Sequence, residues 1–132
     1  MSKILIVDAD STTRYVFRSI LEREGYEVVE AAHGEAALEL IRPNPLPRVV
    51  LTDLIMPVMG GFELIHRLRS EPRTAAIPIV VVTGNPEAAQ SLLASGLVDA
   101  IVARPFSAAG LADRIRAIAD DVLRGEAREG RA

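Results

Sequence analysis

RVVLTDLIMPVMGG, residues Arg48 to Gly61, is the stretch on which the fold turns. Val49 to Thr52 form a short apolar, β-branched run that leads straight into Asp53, and Met56, Pro57, Gly60 and Gly61 then make a turn. An apolar run of this length bounded by turn residues suits a strand covered on both faces, as in a parallel sheet. Open parallel sheets carry ligands beyond the carboxyl ends of their strands, which is where Asp53 falls. A carboxylate placed there is costly unless something uses or neutralises it. The plainer alternative is that Asp53 opens the next turn or caps a helix.

The remaining chain supplies the context. Its 132 residues suffice for one domain with a real core. Half the residues are apolar and a quarter charged, which fits a globular protein. The net charge of -3 and the lack of a Lys/Arg cluster argue against a nucleic-acid surface. No cysteine is present, which excludes disulfides and thiolate metal sites. The apolar opening ends at Asp8, too early for a signal peptide or a membrane span, so a cytoplasmic protein without membrane contact is expected.

In order along the chain, Lys3 to Val7 reads as a strand ending at Asp8. Asp10 or Ser11 caps a helix with Tyr15, Val16, Ile20 and Leu21 at helical spacing, stopped by Gly25. Tyr26 to Ala31 is a second strand, and Glu35 to Ile41 a short helix bearing Ala36, Leu38, Leu40 and Ile41. A stiff connector, Pro43 to Pro47, enters the Asp53 strand. Phe62 to Arg69 follows as a helix with Phe62, Ile65 and Leu68 inward, and then a loop from Pro72 to Pro78. Ile79 to Val82 is the most apolar strand and ends at Thr83. Pro86 opens a helix to Ser95, closed by Gly96. Val98 to Ala103 is a fifth strand, followed by Arg104, Pro105 and Phe106. Leu111, Ile115, Ile118 and Val122 mark one face of a last helix, so residues 1–124 form the domain and 125–132 a polar, frayed tail.

Strand–helix alternation of this kind predicts an α/β fold: a flavodoxin-like, doubly wound five-stranded parallel sheet of order 2-1-3-4-5 with helices on both faces. In that order Asp8, Asp53, Thr83 and Arg104 converge on one rim. Carboxylates sharing a crevice repel, so a cation is needed to keep them ionised. With oxygen ligands only, magnesium is the natural choice. A carboxylate can also attack phosphorus and form an aspartyl phosphate, with a hydroxyl and a fixed cation stabilising the transferred group. Asp53 fits the nucleophile, Asp8 the metal, Thr83 the hydroxyl and Arg104 the cation. Each has a plainer reading: Asp8 or Asp10 as helix cap, Thr83 as turn former, Arg104 as surface charge.

ILIVDAD, DLIMPVMGG, VVVTG and ARPF, in that order and spacing over roughly residues 3 to 124, resemble the receiver domains of two-component response regulators. The resemblance implies that Asp53 accepts a phosphoryl group from the phosphohistidine of a histidine kinase or histidine phosphotransfer protein. It implies that Asp8, Asp53 and the Ile55 backbone carbonyl hold magnesium, with Asp10 a further candidate. Thr83, Arg104 and the Gly84 backbone would stabilise the phosphoryl group. Thr83 and Ile101 would be the switch positions, and Pro105 would follow a cis peptide bond.

Four positions depart from the family pattern. Ala9 stands where a second adjacent acid normally ligates the metal, and weaker magnesium binding is the expected cost. Arg104 replaces a near-invariant lysine, exchanging a compact ammonium for a broad planar fork. Ile101 occupies a position that often carries an aromatic switch residue, and Gly60 replaces an Asp or Asn.

Three functions compete. The first is a phosphoacceptor that signals by protein binding through the face around residues 86–122, since no output domain follows Val122. The second is a degenerate receiver that binds a partner independently of Asp53. The third is a phosphatase, because Asp8-Ala9-Asp10-Ser11-Thr12 also resembles the opening motif of haloacid-dehalogenase-type phosphatases. That family needs a lysine after its second motif and a later acidic pair, whereas the only lysine here is Lys3 and the later strand ends at Arg104-Pro105. His33 and His66 are expected at the surface, and Met56 and Met59 as turn packing. The oligomeric state is left open.

Overall fold

A computed structural model of the chain describes residues 3–43, 45–104 and 107–123. Five strands and five helices alternate: β1 (Lys3–Val7), α1 (Ser11–Arg23), β2 (Glu27–Ala31), α2 (Gly34–Ile41), β3 (Val49–Thr52), α3 (Gly61–Ser70), β4 (Ile79–Thr83), α4 (Pro86–Ala94), β5 (Ala100–Ala103) and α5 (Ala108–Leu123). The strands form one parallel sheet in the order β2-β1-β3-β4-β5, as expected from the alternation.

Successive strand residues point to opposite faces, and this splits the core in two. Leu5, Val7, Val50, Ile79 and Val81 face one way and pack with Ala37 and Ile41 of α2, Leu64, Ile65 and Leu68 of α3, and Ala89 and Leu92 of α4. Ile4, Ile6, Leu51, Val80 and Val82 face the other way, against Phe17, Ile20 and Leu21 of α1 and Leu111, Ala112 and Ile115 of α5. β3 and β4 are buried at every position, which is why they read as continuous apolar runs.

The helix phases differ from the sequence expectation at several residues. Tyr15 and Val16 are exposed, and α1 turns Phe17, Ile20 and Leu21 inward instead. Phe62 is 42% exposed, while Gly61, Leu64, Ile65 and Leu68 form the buried face. The phase of α3 is set by Gly61. A Cβ at that position would lie 2.2 Å from the Asp53 carbonyl oxygen, so only glycine lets the helix start hard against the end of β3. Spacing from 61 to 64, 65 and 68 then fixes the face, and Phe62 falls beside it. Leu40 is likewise exposed, with Ala37 and Ile41 inward on α2.

β5 starts at Ala100 rather than Val98, because Asp99 is taken up at the start of β4: its N–H donates to the Ile79 carbonyl at 2.8 Å and its Oδ2 accepts from the Ile79 N–H at 2.8 Å. Gly25, at φ 93°, closes α1 as expected, with its N–H and that of Tyr26 returning to Glu22 and Leu21. The expectations for Pro105, Phe106, the 125–132 tail and the side chains of Ile118 and Val122 lie outside the described residues.

Candidate functional site

Three backbone hydrogen bonds across the sheet hold the ends of the strands at one level. The Asp8 N–H donates to Ala31 at 3.1 Å, Asp53 N–H to Val7 at 3.0 Å, and Arg104 N–H to Thr83 at 2.9 Å. The register places Val7 beside Thr52 and Thr83 beside Ala103, so Asp8, Asp53 and Arg104, one residue beyond their strands, and Thr83, the last of its own, share one rim. Asp8, Asp53, Thr83 and Arg104 are thereby gathered at the carboxyl edge, around the point where the chain order reverses between β1 and β3.

A single guanidinium nitrogen ties the acids together. Arg104 Nη2 donates to Asp8 Oδ2 at 2.6 Å and stands 3.8 Å from Asp53 Oδ2. The remaining oxygens are also engaged: Asp8 Oδ1 accepts from the Asp10 N–H at 2.9 Å, and Asp53 Oδ1 from the Leu54 N–H at 2.7 Å. Asp8 is buried and Asp53 partly open. Arg104 itself lies over the Phe17 ring, 5.9 Å from its centre, and its buried Nε has no hydrogen-bond partner among the described residues. The bland reading of Arg104 as a solvated surface charge is thus set aside.

Thr83 is buried, and its Oγ1 accepts from the Asn85 N–H at 3.0 Å, which leaves the hydroxyl proton able to donate outward. Gly84 follows at the exposed turn, and a Cβ there would meet nothing within 4 Å. Ile55 is 86% exposed on the β3–α3 loop. Ile101 is half-buried against the α2–α3–α4 core, and its carbonyl accepts from Arg114 of α5 at 2.5 Å.

Asp10 is the N-cap of α1: Oδ1 accepts from the Thr12 N–H at 3.0 Å and Oδ2 from the Thr13 hydroxyl at 2.9 Å. These bonds, the Thr13 one foremost, hold its carboxyl below the usual aspartate range. Both oxygens serve the helix, so the cap reading of Asp10 is the one the geometry favours. Among the described residues no three acidic or histidine side chains converge as a ready-made metal cage. The donor chemistry still fits magnesium, because Asp8 and Asp53 already share one cationic group and a hard ion needs only one or two carboxylates with waters and a phosphate oxygen.

Several supporting residues escaped the sequence reading. Arg14 Nη1 donates to the Asp8 carbonyl at 2.5 Å while its Nε pairs with Glu30 at 2.9 Å, and Arg18 holds the other Glu30 oxygen at 2.6 Å. A glutamate inside an otherwise apolar strand was the available signal. Met59 is buried against Gly34, whose N–H donates to its carbonyl at 2.9 Å, as the turn-packing reading anticipated. Val58, in that same turn, holds φ 67°. His33 caps α2 through Nδ1, which accepts from the Ala36 N–H at 3.2 Å, and His66 is exposed.

Known proteins place this geometry. Residues 4–116 match the family described as response regulator receiver domain. The chain is 36% identical over 120 residues to chemotaxis protein CheY1 of Helicobacter pylori, covering 88% of this chain and 95% of that one. It is 39% identical over 83 residues to PilH of Pseudomonas aeruginosa, covering 63% of this chain and 68% of that one. Among solved structures, chemotaxis response regulator CheY4 of Vibrio cholerae superposes with a TM-score of 0.80 at 31% identity, covering 89% of this chain and 98% of that one. TrrA of Thermotoga maritima, solved in complex with Mg(2+)-BeF, gives 0.77 at 28% identity over 89% of this chain and 99% of that one. The phosphatase resemblance of residues 8–12 gives way to the receiver match, which spans them, and Asp10 caps a helix. No described helix is long and apolar enough to cross a membrane. By its sequence and its fold, the chain belongs to the response regulator receiver domain family.

Proposed function

We propose that Asp53 accepts a phosphoryl group from a phosphohistidine of a histidine kinase or histidine phosphotransfer protein, and that the chain then signals by binding a partner protein. The observation that carries this reading is the shared ion pair. Asp53 lies at the rim beside a buried second carboxylate, with a cation between them and a buried hydroxyl at the end of β4. In the transfer, an Asp53 carboxylate oxygen forms a bond to phosphorus as the phosphorus–imidazole bond breaks. The histidine nitrogen keeps the electron pair, and with a proton on its other ring nitrogen the imidazole leaves neutral. Thr83 donates its hydroxyl and Gly84 its backbone N–H to the phosphoryl oxygens, and Arg104 supplies positive charge. Asp8, Asp53 and the Ile55 carbonyl are the groups that would hold magnesium, which when bound neutralises charge on the phosphoryl oxygens.

Thr83 and Ile101 lie on β4 and β5, between the rim and α4 and α5. A change at Thr83 on phosphorylation would reach the face of residues 86–122 through Ile101, whose carbonyl is tied to α5 by Arg114. A second reading, a module whose binding ignores Asp53, is favoured by Ala9 and by the contact of Arg104 with both acids. Incubation with acetyl phosphate and magnesium separates the two. A phosphoryl adduct by intact mass in the wild type and none in Asp53→Asn supports the acceptor reading. No adduct in either, over a wide magnesium range, overturns it in favour of the second.

A further inference from the structure

From the pairing at the rim, we infer that Arg104 and a divalent cation compete for Asp8, so that this arginine sets the metal affinity of the site. The inference rests on the phosphoacceptor reading for the use of the site, but not for its test.

Both oxygens of Asp8 are engaged. Oδ1 accepts from the Asp10 N–H, and Oδ2 from Arg104 at 2.6 Å. The same guanidinium nitrogen is 3.8 Å from Asp53 Oδ2, so it sits where a cation bridging the two carboxylates belongs. Magnesium requires oxygens at about 2.0–2.1 Å in near-octahedral order, and a guanidinium cannot remain at hydrogen-bond distance on the same oxygen from the same side. One cation must leave for the other to enter. Ala9 offers no additional carboxylate by which an ion could be held while Arg104 stays in place.

The pose of Arg104 is also one that can be given up. Its buried Nε makes no hydrogen bond among the described residues, and a desolvated donor left unpaired is unfavourable. What holds the guanidinium in place is the carboxylate pair together with the Phe17 ring beneath it. A compact ammonium would present a point charge to the acids, whereas the arginine fork reaches and covers them. Arg104 therefore places its positive charge against both carboxylates, where a bound cation would otherwise stand.

The test is a calorimetric magnesium titration of the wild type, Arg104→Gln and Arg104→Met, the last retaining apolar bulk over Phe17. Melting temperatures are taken with chelator and with saturating magnesium. Removing the competing charge should tighten magnesium binding on the order of tenfold. With chelator the neutral variants should melt below the wild type, and saturating magnesium should raise their melting temperature more than it raises the wild type's. A merely structural arginine would lower both melting temperatures equally. Unchanged or weaker magnesium affinity in the neutral variants that fold, or no magnesium binding by any of the proteins, would overturn the inference. Tightened binding in the variants, with no Asp53 adduct in the wild type treated with acetyl phosphate and magnesium, would leave it standing and overturn the phosphoacceptor reading alone.

Discussion

Arg69 and Asp99 form an ion pair at 3.4 Å whose side chains are only 9% and 3% exposed, at the edge of the sheet opposite the candidate site. Arg69 also donates to the carbonyls of Leu97, Ala75 and Ile77, while Asp99 accepts from the Ile79 N–H. One arginine thus gathers the end of α3, the loop before β4 and the turn before β5. Removing one partner of such a pair leaves a buried charge uncompensated. Arg69→Met should cost about 3–5 kcal/mol in urea denaturation. Arg67→Ala, which removes an exposed pair with Glu63 on the same helix, should stay within about 0.5 kcal/mol. Similar costs for the two would contradict the role assigned to Arg69.

Phe17 supports Arg104 from below, and the two should be energetically coupled. Phe17→Leu is expected to destabilise by about 1–2 kcal/mol through lost packing and lost contact with the cation. In an Arg104→Gln background the same change should cost less, by about 0.5–1 kcal/mol. A double-mutant cycle with no coupling would separate the two residues.

Val58 carries a β-branched side chain at φ 67° and is 73% exposed, so it bears strain without a packing return. The left-handed region costs an ordinary residue about 1–2 kcal/mol, and glycine gives back about 0.5–1 kcal/mol in chain entropy. Val58→Gly should therefore raise stability by up to about 1 kcal/mol, read from the urea midpoint at constant slope. A loss of stability would show that Val58 makes contacts its exposure does not reveal.

Glu30 provides a pH dependence. Burial pushes its carboxyl up, but Arg18 and Arg14 more than offset this and hold it below the ordinary glutamate value of 4.5. A folded value below the unfolded one stabilises the protein above the unfolded value and loses that contribution as pH falls through the folded one. The wild type should thus be more stable than Glu30→Gln near neutrality, with the gap closing below about pH 4.5. A gap that persists unchanged at lower pH would assign the effect to shape rather than charge.

These residues also mark where the sequence could and could not be read. Asp8, Asp53, Thr83 and Arg104 were legible because each stands at the end of an apolar run, and the alternation of elements fixes where such ends meet. The helix faces were less legible. α1 and α3 carry apolar residues on more than one side, and the choice between Phe62 and Leu64 depends on how closely Gly61 approaches the Asp53 carbonyl. Arg69 with Asp99, and Arg14 with Glu30, are joined across long separations in chain, and no local pattern announces them. The positive φ of Val58 runs against its side chain's own preference.

The central claim is that Asp53 is the residue that carries the phosphoryl group. After treatment with acetyl phosphate and magnesium, borohydride reduces an aspartyl phosphate to homoserine, which peptide mapping locates by mass. The account predicts homoserine at position 53 alone, dependent on magnesium and suppressed in Thr83→Ala. Homoserine at Asp8, Asp10 or elsewhere, or none at any position, would contradict it.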